Sequence, residues 1–288
     1  MVRQDRDRFQ PKAETVSAIL LSGLEKIQRC LLSMAMGWGK MGIRLVICAL
    51  NDSNPNIEQT AVDLLRHRSE PEVQRAIWNY LNLPQPSTLL DYETLQRCLA
   101  AAQWQSADEI TCAIILAMAE RQGSWLREVD IPKLVVADLG IVDQLWRFYS
   151  SDRFGFTVQA QIWQTCEQEE CSKIDYSTLD ITYCFGKRVG WKVQYYRERD
   201  YSDKYDFERN AKIPYDLTAP VGNLPSTFAL GGGENHLEFE PGDTESTMGF
   251  YAPSYSYYTW SKDALFGHDF LRQFFPIIEM LRDRRNQN

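Results

Sequence analysis

Apolar residues recur every three or four positions through most of the first 81 residues, and this spacing is typical of amphipathic helices. The first such run extends from Thr15 to Met34 and predicts one long helix that ends before Gly37. Asn, Asp and Pro interrupt the pattern at 51–55, and another proline, Pro71, opens the last run. The pattern therefore predicts three shorter helices after the first, at about 41–50, from 55 and from 71.

The shorter helices resemble paired-helix repeats of the HEAT type, and residues 43–81 have the length of one such unit. A single unit cannot bury both of its faces, so we expect it to pack against neighbouring helices. Ser69 is the predicted N-cap of the helix that follows it. The sequence thus predicts a flexible tail at 1–12, a HEAT-like helical bundle at 13–84 and a proline-containing linker at 83–88.

After the linker the helical pattern resumes. Residues 91–104 and 136–150 each place apolar residues on one face, and 156–166 is another short helical run. Between the first two runs, Ser106 and Glu109 have the spacing of a capping box, in which two side chains satisfy the free N–H groups of a helix start. They predict a helix that begins at Ser106 and ends near Gly123.

The helical pattern ends at Trp191. Residues 193–216 predict only short strands or ordered loops, and the aromatic and acidic loop at 226–261 contains no Lys or Arg. Apolar periodicity returns at 265–283 and predicts a closing helix. The predicted fold class is all-α, with the N-terminal bundle followed by a compact helical domain at 88–288 that carries long irregular loops.

Composition and charge argue against two classes of protein, nucleic-acid-binding proteins and membrane-spanning proteins. The 288 residues are 44% hydrophobic and 24% charged, with a net charge of −8. An acidic chain is a poor match for a phosphate backbone, so we expect no nucleic-acid partner. Charged residues break every apolar run before the roughly 18 residues of a membrane span, and no signal core follows the charged N-terminus. These features predict a cytoplasmic protein without a membrane span.

Cysteines and histidines give weak signals for chemistry. The seven cysteines are an odd number without any CxxC pair, which favours free thiols over a disulfide framework or a zinc site. Three scattered histidines do not suggest a catalytic pair. A cluster around His236 is a poor metal signal, because it offers one histidine among flexible carboxylates. We expect no bound metal, and an enzyme is the less favoured class.

Two stretches place glycines between aromatic and basic residues, at 153–156 and 185–191. Glycine allows close backbone approach, aromatic rings cover a flat apolar ligand, and arginine can meet its carboxylates. For Phe154 and Phe156, ligand contact and simple core packing remain equal alternatives. Arg188 and Trp191, in a predicted loop flanked by glycines, favour ligand contact.

Three segments, Val142–Gln159, Phe185–Trp191 and Ala219–Pro225, resemble in order the motifs of the genomes-uncoupled-four family of porphyrin-binding regulators of magnesium chelatase. The resemblance covers about residues 88–225, and the N-terminal bundle is similar to the accessory bundle of cyanobacterial members. It implies a compact helical domain whose loops form a cup-shaped tetrapyrrole site, here called the cup. It also implies a non-enzymatic protein that binds protoporphyrin IX or Mg-protoporphyrin IX.

The resemblance implies further expectations about partners and site residues. The expected protein partner is the large porphyrin-binding subunit of magnesium chelatase, and peripheral association with thylakoid membranes is an alternative to a purely cytoplasmic location. The motif positions carried over as ligand-binding residues are Arg153, Phe154, Phe156, Phe185, Arg188, Trp191, Asn223 and Leu224.

The sequence departs from the family pattern in two places. Asn223 stands where the family usually has histidine, and the 226–261 loop is acidic where basic residues are expected. A carboxylate within 4 Å of a ligand propionate would repel it by about 1 kcal/mol in water and about 4 kcal/mol at a partly shielded site. A divergent member with a changed ligand is therefore one alternative. A protein-interaction module that uses the bundle and the Tyr-rich loop, without a ligand, is the other.

Overall fold

The structure, a computed structural model, describes residues 13–84, 90–122, 126, 128–170, 180–197, 203–207, 213–226 and 268–285. Contacts divide the chain into two compact units, Met1–Leu83 and Pro84–Asn288. The predicted tail at 1–12 and nearly all of the acidic loop at 226–261 lie outside the described residues, as do 85–89 of the predicted linker. The two units are described separately below.

Helices dominate both units, which confirms the predicted all-α class. In the described residues, the α-helices are α1 Ala13–Ala35, α2 Gly39–Cys48, α3 Pro55–Leu65, α4 Pro71–Tyr80, α5 Tyr92–Ala100, α6 Trp104–Met118, α7 Val136–Ser150, α8 Phe156–Glu170, α9 Asp180–Val189 and α10 His268–Arg285. Short 3₁₀ turns occupy Met36–Trp38, Ala49–Asn51 and Glu128–Lys133. Two antiparallel strands, β1 Val193–Arg197 and β2 Asp203–Phe207, pair Tyr195 with Tyr205 at their centre.

In the N-terminal unit, α1 packs against α2 and α3, and α2 also contacts α4. Asn54 caps α3, since its side chain accepts a hydrogen bond from the Asn56 N–H at 2.9 Å. The prediction that Ser69 caps α4 is wrong. Pro71 is the first helical residue, which makes Glu70 the N-cap, and the Glu70 side chain pairs with Arg68 instead. The HEAT-like pairing of these helices stays a prediction.

In the second unit, α5 packs against α6 and α7, α8 against α9, and α10 against α7 and α8. Trp146 lies at the centre, fully buried, and its indole N–H donates to Thr111 Oγ1 at 2.8 Å. Trp104 and Phe154 pack against it with ring-centroid distances of 6.0 and 6.3 Å. This aromatic cluster joins the start of α6, the middle of α7 and the segment just before α8.

Two predicted helix boundaries in this unit are wrong for one reason. Ala102 has a φ of 54°, so the chain turns in the left-handed region directly after α5 and enters α6 at Trp104. Trp104 therefore opens α6 rather than ending the helix before it. Ser106 lies inside the first turn of α6 and cannot form the predicted capping box, because the N-cap is Gln103.

Arg188 and Trp191 were predicted to lie in a loop flanked by glycines. This is wrong for Arg188, which belongs to α9 together with Phe185 and Gly186, whereas Trp191 follows the end of the helix at Val189. Strands β1 and β2 follow directly and agree with the predicted short strands.

Candidate functional site

The structure brings the three sequence motifs together at one turn, residues 219–225, called the 219–225 turn below. The segment after α7 holds one side of it. Gly222 N–H donates to the Arg153 carbonyl at 2.8 Å, and Gly155 N–H donates to the Leu224 carbonyl at 3.0 Å. The Arg153 guanidinium also donates to the Ala219 carbonyl at 2.7 Å. Motifs that are about 70 positions apart in the chain therefore form one local structure.

The end of α9 holds the other side of the 219–225 turn. Trp191 Nε1–H donates to the Asn223 carbonyl at 2.7 Å, and Asn223 Nδ2–H donates to the Val189 carbonyl at 2.6 Å. Gly190, between them, has a φ of 74°, and a Cβ added there would lie 2.7 Å from Pro220 Cγ. Only glycine tolerates both that backbone conformation and that close approach.

Gln159 on α8 binds the turn from the inside. Its Nε2 donates to the Gly222 carbonyl at 3.0 Å and to the Pro225 carbonyl at 2.7 Å, and the side chain is fully buried. Gln159 was not among the predicted site residues. Its position could have indicated a role, because Gln159 is a polar residue on the buried face of α8 between Phe156 and Trp163. A polar residue on a buried stripe needs a partner, and here the partner is the turn.

Two buried carboxylates fix the ends of this assembly. Asp108 on α6 accepts hydrogen bonds from the Ser226 N–H at 2.8 Å and from its hydroxyl at 2.7 Å. Asp143 on α7 accepts from the Thr157 N–H at 2.8 Å and from its hydroxyl at 2.6 Å. The first pair anchors the end of the 219–225 turn, and the second anchors the start of α8. Neither hydrogen-bonding role was predicted from the sequence, since the partners of both carboxylates lie far away in the chain.

The turn leaves buried polar atoms unsatisfied. Among the described residues, Gln159 Oε1, Asn223 Oδ1 and Arg153 Nε have no hydrogen-bond partner. A buried unsatisfied group costs about 1–3 kcal/mol, and such groups are rare in native folds. All three atoms belong to residues of the turn or to residues that hydrogen-bond to it.

The predicted ligand residues fall into two groups by burial. The side chains of Phe154, Phe156, Phe185, Trp191, Asn223 and Leu224 are at most 2% exposed. The rings of Phe185 and Trp191 pack edge to face at 5.5 Å, and Phe156 packs on Phe274 at 5.3 Å. In this conformation all six side chains are packed in the interior of the unit, and their direct contact with a ligand stays a prediction. Arg153 is partly exposed and Arg188 is exposed.

Basic residues lie at the exposed edge of the site. Arg188 forms an ion pair with Glu169 on α8, and the hydrogen bond that it donates to this carboxylate raises the pKa of the Arg188 guanidinium. Lys187 and Lys192 are exposed beside it. A ligand carboxylate that reached Arg188 would compete with Glu169 for the same guanidinium, so this edge can accept an anion by exchanging one carboxylate for another.

Comparisons with known proteins identify the family to which this part of the chain belongs. A family model described as GUN4-like matches residues 85–237, which include all three motifs. The chain is 28% identical over 207 residues to a Ycf53-like protein from Synechocystis, an alignment that covers 68% of this chain and 80% of that protein. It is 25% identical over 144 residues to the chloroplastic tetrapyrrole-binding protein of Arabidopsis thaliana, covering 49% and 50%.

Solved structures give a weaker comparison. A structure of GUN4 from Chlamydomonas reinhardtii shares 24% sequence identity with this chain, with a TM-score of 0.37, and covers 51% of this chain and 88% of that one. The chain spans about half the length of several curated relatives, 52% for a Porphyra purpurea protein and 50% for the Arabidopsis protein.

Proposed function

Because the chain belongs to the GUN4-like family, we propose that it is a non-enzymatic regulatory protein that binds a tetrapyrrole over the 219–225 turn. The observation that carries this proposal is the convergence of the three motifs on that turn. The Arabidopsis relative is named a tetrapyrrole-binding protein, which gives the class of ligand. The basic edge at Arg188 matches a ligand that carries carboxylates, and aromatic residues like those of the motifs are the type that packs against a flat apolar ligand.

Burial of the apolar surface of a porphyrin supplies enough free energy for such a complex to form. Burial of about 400 Å² of porphyrin surface at roughly 25 cal/mol/Å² contributes about 10 kcal/mol, before association costs of several kcal/mol. With an association cost of about 4 kcal/mol, the remaining ~6 kcal/mol corresponds to a dissociation constant of tens of micromolar. Most of the binding free energy then comes from the apolar face, and the basic edge selects for the propionates.

The proposal extends to the specific ligand and to the enzyme that the protein regulates. We propose protoporphyrin IX or Mg-protoporphyrin IX as the ligand, and regulation of magnesium chelatase through its large porphyrin-binding subunit as the role in chlorophyll biosynthesis. The test is a chelatase assay at limiting porphyrin, with and without the full chain. A rate increase of severalfold that saturates with added chain supports the role, and an unchanged rate with a porphyrin-bound chain contradicts it.

Arg188 provides a test of the basic edge. Arg188→Ala is expected to weaken binding of deuteroporphyrin by about 3- to 10-fold, because an exposed charge pair contributes modestly. Binding of the dimethyl ester should change by less than about 2-fold, since the ester lacks the carboxylate that Arg188 meets. Titrations that follow quenching of tryptophan fluorescence measure both affinities.

The matched control for this prediction is Arg97→Ala. Arg97 lies on α5 and bonds to Thr94 in its own helix. This variant should bind acid and ester as the unchanged chain does. An equal loss of affinity for acid and ester in Arg188→Ala would show that Arg188 acts through the fold and not through ligand charge.

The N-terminal unit exposes an apolar face, which bears on where in the cell the protein lies. Leu24, Ile27, Leu31, Met34, Trp38, Met41 and Leu45 on α1, α2 and the turn between them are all 48–72% exposed. Within the described residues, Ser22–Asn51 is also long and apolar enough to cross a membrane by composition alone, although this stretch is divided by the turn at Met36–Trp38. It contains four basic residues and one acidic residue in a chain of net charge −8. We propose that this face lies on an anionic lipid surface as a peripheral contact.

Vesicle flotation tests the lipid contact. The double variant Met41→Gln/Leu45→Gln is expected to reduce binding to phosphatidylglycerol vesicles by at least about 10-fold, because two apolar side chains no longer enter the interface. Binding of the unchanged chain should fall at high salt and be weak on neutral phosphatidylcholine vesicles.

The control here is Val129→Gln, which changes an exposed apolar residue in the other unit. It should leave flotation unchanged. Absence of binding to either vesicle, together with capture of a protein partner that the double variant loses, would replace the lipid contact by a protein-interaction role for the bundle.

A further inference from the structure

Two consecutive β-turns expose apolar side chains at the edge of the 219–225 turn. In each of them the N–H of the fourth residue donates to the carbonyl of the first, at 3.2 Å in Asp216–Ala219 and at 3.1 Å in Pro220–Asn223. Leu217 and Val221, called the turn tips below, are the second residues of these β-turns, and they are 42% and 44% exposed. Turn positions more often hold glycine, proline or small polar residues. The two turn tips therefore place apolar surface in solvent where polar residues are usual.

The second β-turn is held in one conformation. Gly222, its third residue, has a φ of 77°, which is the conformation that a type II turn requires at that position. The Gly222 N–H donates to the Arg153 carbonyl at 2.8 Å, and the Gly222 carbonyl accepts from Gln159 Nε2 at 3.0 Å. These bonds fix the backbone that carries Val221 before any ligand binds. A residue that is already ordered loses little conformational entropy on binding.

The turn tips adjoin the basic end of α9. A Cβ added at Gly190 would lie 2.7 Å from Pro220 Cγ, so the start of the second β-turn contacts the chain directly after α9. Three exposed basic residues lie within three positions of Gly190 in the sequence, Lys187, Arg188 and Lys192. Apolar surface beside clustered cations is complementary to a ligand that has a flat apolar face and carboxylates at its rim. A tetrapyrrole that carries propionates has this chemistry.

We propose that Leu217 and Val221 contact the apolar face of the tetrapyrrole, with the ligand carboxylates directed toward Arg188. This inference rests on the proposed function and adds two contact residues to it. Both side chains can reach a ligand without any opening of the fold, whereas the aromatic side chains of the three motifs are packed in the interior. The motif residues then hold the turn in place, and the turn tips make the apolar contact.

Alanine variants test the apolar contact. Val221→Ala and Leu217→Ala are each expected to weaken binding of deuteroporphyrin by about 5- to 20-fold, because two or three carbon atoms leave the interface. Binding of the dimethyl ester should weaken by the same factor, since this contact involves no charge. Arg188→Ala, by contrast, discriminates between acid and ester. Quenching of tryptophan fluorescence measures the affinities, and an unchanged melting temperature shows that substitution of these exposed residues leaves the fold intact.

Protection of an introduced thiol tests the contact directly. In Val221→Cys, saturating deuteroporphyrin in the dark should slow alkylation of the new thiol by at least about 5-fold, because the reaction of a cysteine depends on its exposure. Cys30 and Cys48, which are exposed in the other unit, should react at the same rate with and without ligand. Mass spectrometry of the peptides resolves the three sites.

Val135 provides the matched control position. It is 49% exposed and directly precedes α7, whose 15 residues span about 22 Å. The other end of α7 leads into residues 153–155, which hydrogen-bond to the 219–225 turn. Val135→Ala should therefore bind the ligand as the unchanged chain does, and the thiol of Val135→Cys should react at the same rate with and without ligand.

Two results would overturn the assignment of the turn tips while the proposed function stands. One is unchanged affinity in both alanine variants, and the other is a loss of affinity without protection of the thiol in Val221→Cys. An unchanged chain that shows no saturable binding of any tetrapyrrole would instead contradict the proposed function itself.

Discussion

Replacing Trp191 by alanine is expected to lower the free energy of unfolding of the Pro84–Asn288 unit by about 3–5 kcal/mol, the range for truncation of a large buried aromatic side chain. Trp191 is 2% exposed and packs its ring on Phe185. Its indole N–H also holds the Asn223 carbonyl of the 219–225 turn. The substitution removes both contacts together, and urea unfolding followed by circular dichroism measures the loss.

The control variant Trp191→Phe separates these two contributions. It retains an aromatic ring and removes the hydrogen bond, so the expected loss is about 1–2 kcal/mol. If Trp191 only supports the turn, this variant should bind a tetrapyrrole within about 3-fold of the unchanged chain. A binding loss far larger than the stability loss would instead indicate that the indole contacts the ligand. A Trp191→Ala variant as stable as the unchanged chain would contradict the assigned place of Trp191 in the core.

Gly222→Ala is expected to cost about 2–5 kcal/mol of stability and to abolish measurable tetrapyrrole binding. Gly222 has a φ of 77°, a conformation that costs an alanine about 1–2 kcal/mol. Its added Cβ would lie 2.7 Å from Ile162 Cδ1 and 3.2 Å from Val189 Cγ1, so either these side chains or the turn must shift. Because the left-handed backbone is also strained for alanine, we expect the turn to shift, which breaks the contact between the motifs on which the proposed site depends.

Gly37→Ala is the matched control. Gly37 lies in the 3₁₀ turn after α1, and a Cβ added there meets no atom within 4 Å. Stability and ligand binding should both be unchanged within about 0.5 kcal/mol. A Gly222→Ala variant that keeps full stability would mean that the 219–225 turn does not have the tight packing described above.

The spacing of apolar residues predicted most of the helices. Residues 136–150 were predicted as a helix, and α7 has those bounds, because its apolar face is continuous and its end is marked by a left-handed residue at Ser151. The boundary between α5 and α6 could not be predicted in the same way. Ala102 adopts a left-handed turn that its residue type does not favour, and the burial of Trp104 against Trp146 and Phe154 stabilises it.

The motifs of the candidate site could be predicted from the sequence, but the contacts that join these motifs could not. The glycines, aromatics and basic residues at 153–156, 185–191 and 219–225 were visible as local patterns. Gln159, Asp108 and Ser226 were not, because their roles arise from contacts between residues more than 60 positions apart. Arg188 was assigned to a loop, since the two glycines that flank it weaken the helical pattern of a segment that is helical in the structure.

The central claim is that the three motifs meet at the 219–225 turn to form a tetrapyrrole site. Equilibrium titration of the full chain with deuteroporphyrin, Mg-deuteroporphyrin and a linear tetrapyrrole, followed by quenching of tryptophan fluorescence, tests it most directly. We predict saturable quenching at one ligand per chain, with a dissociation constant of tens of micromolar for a cyclic tetrapyrrole, and its loss in Gly222→Ala. Quenching that does not saturate with any of the three ligands, in a chain that unfolds cooperatively, would contradict the account.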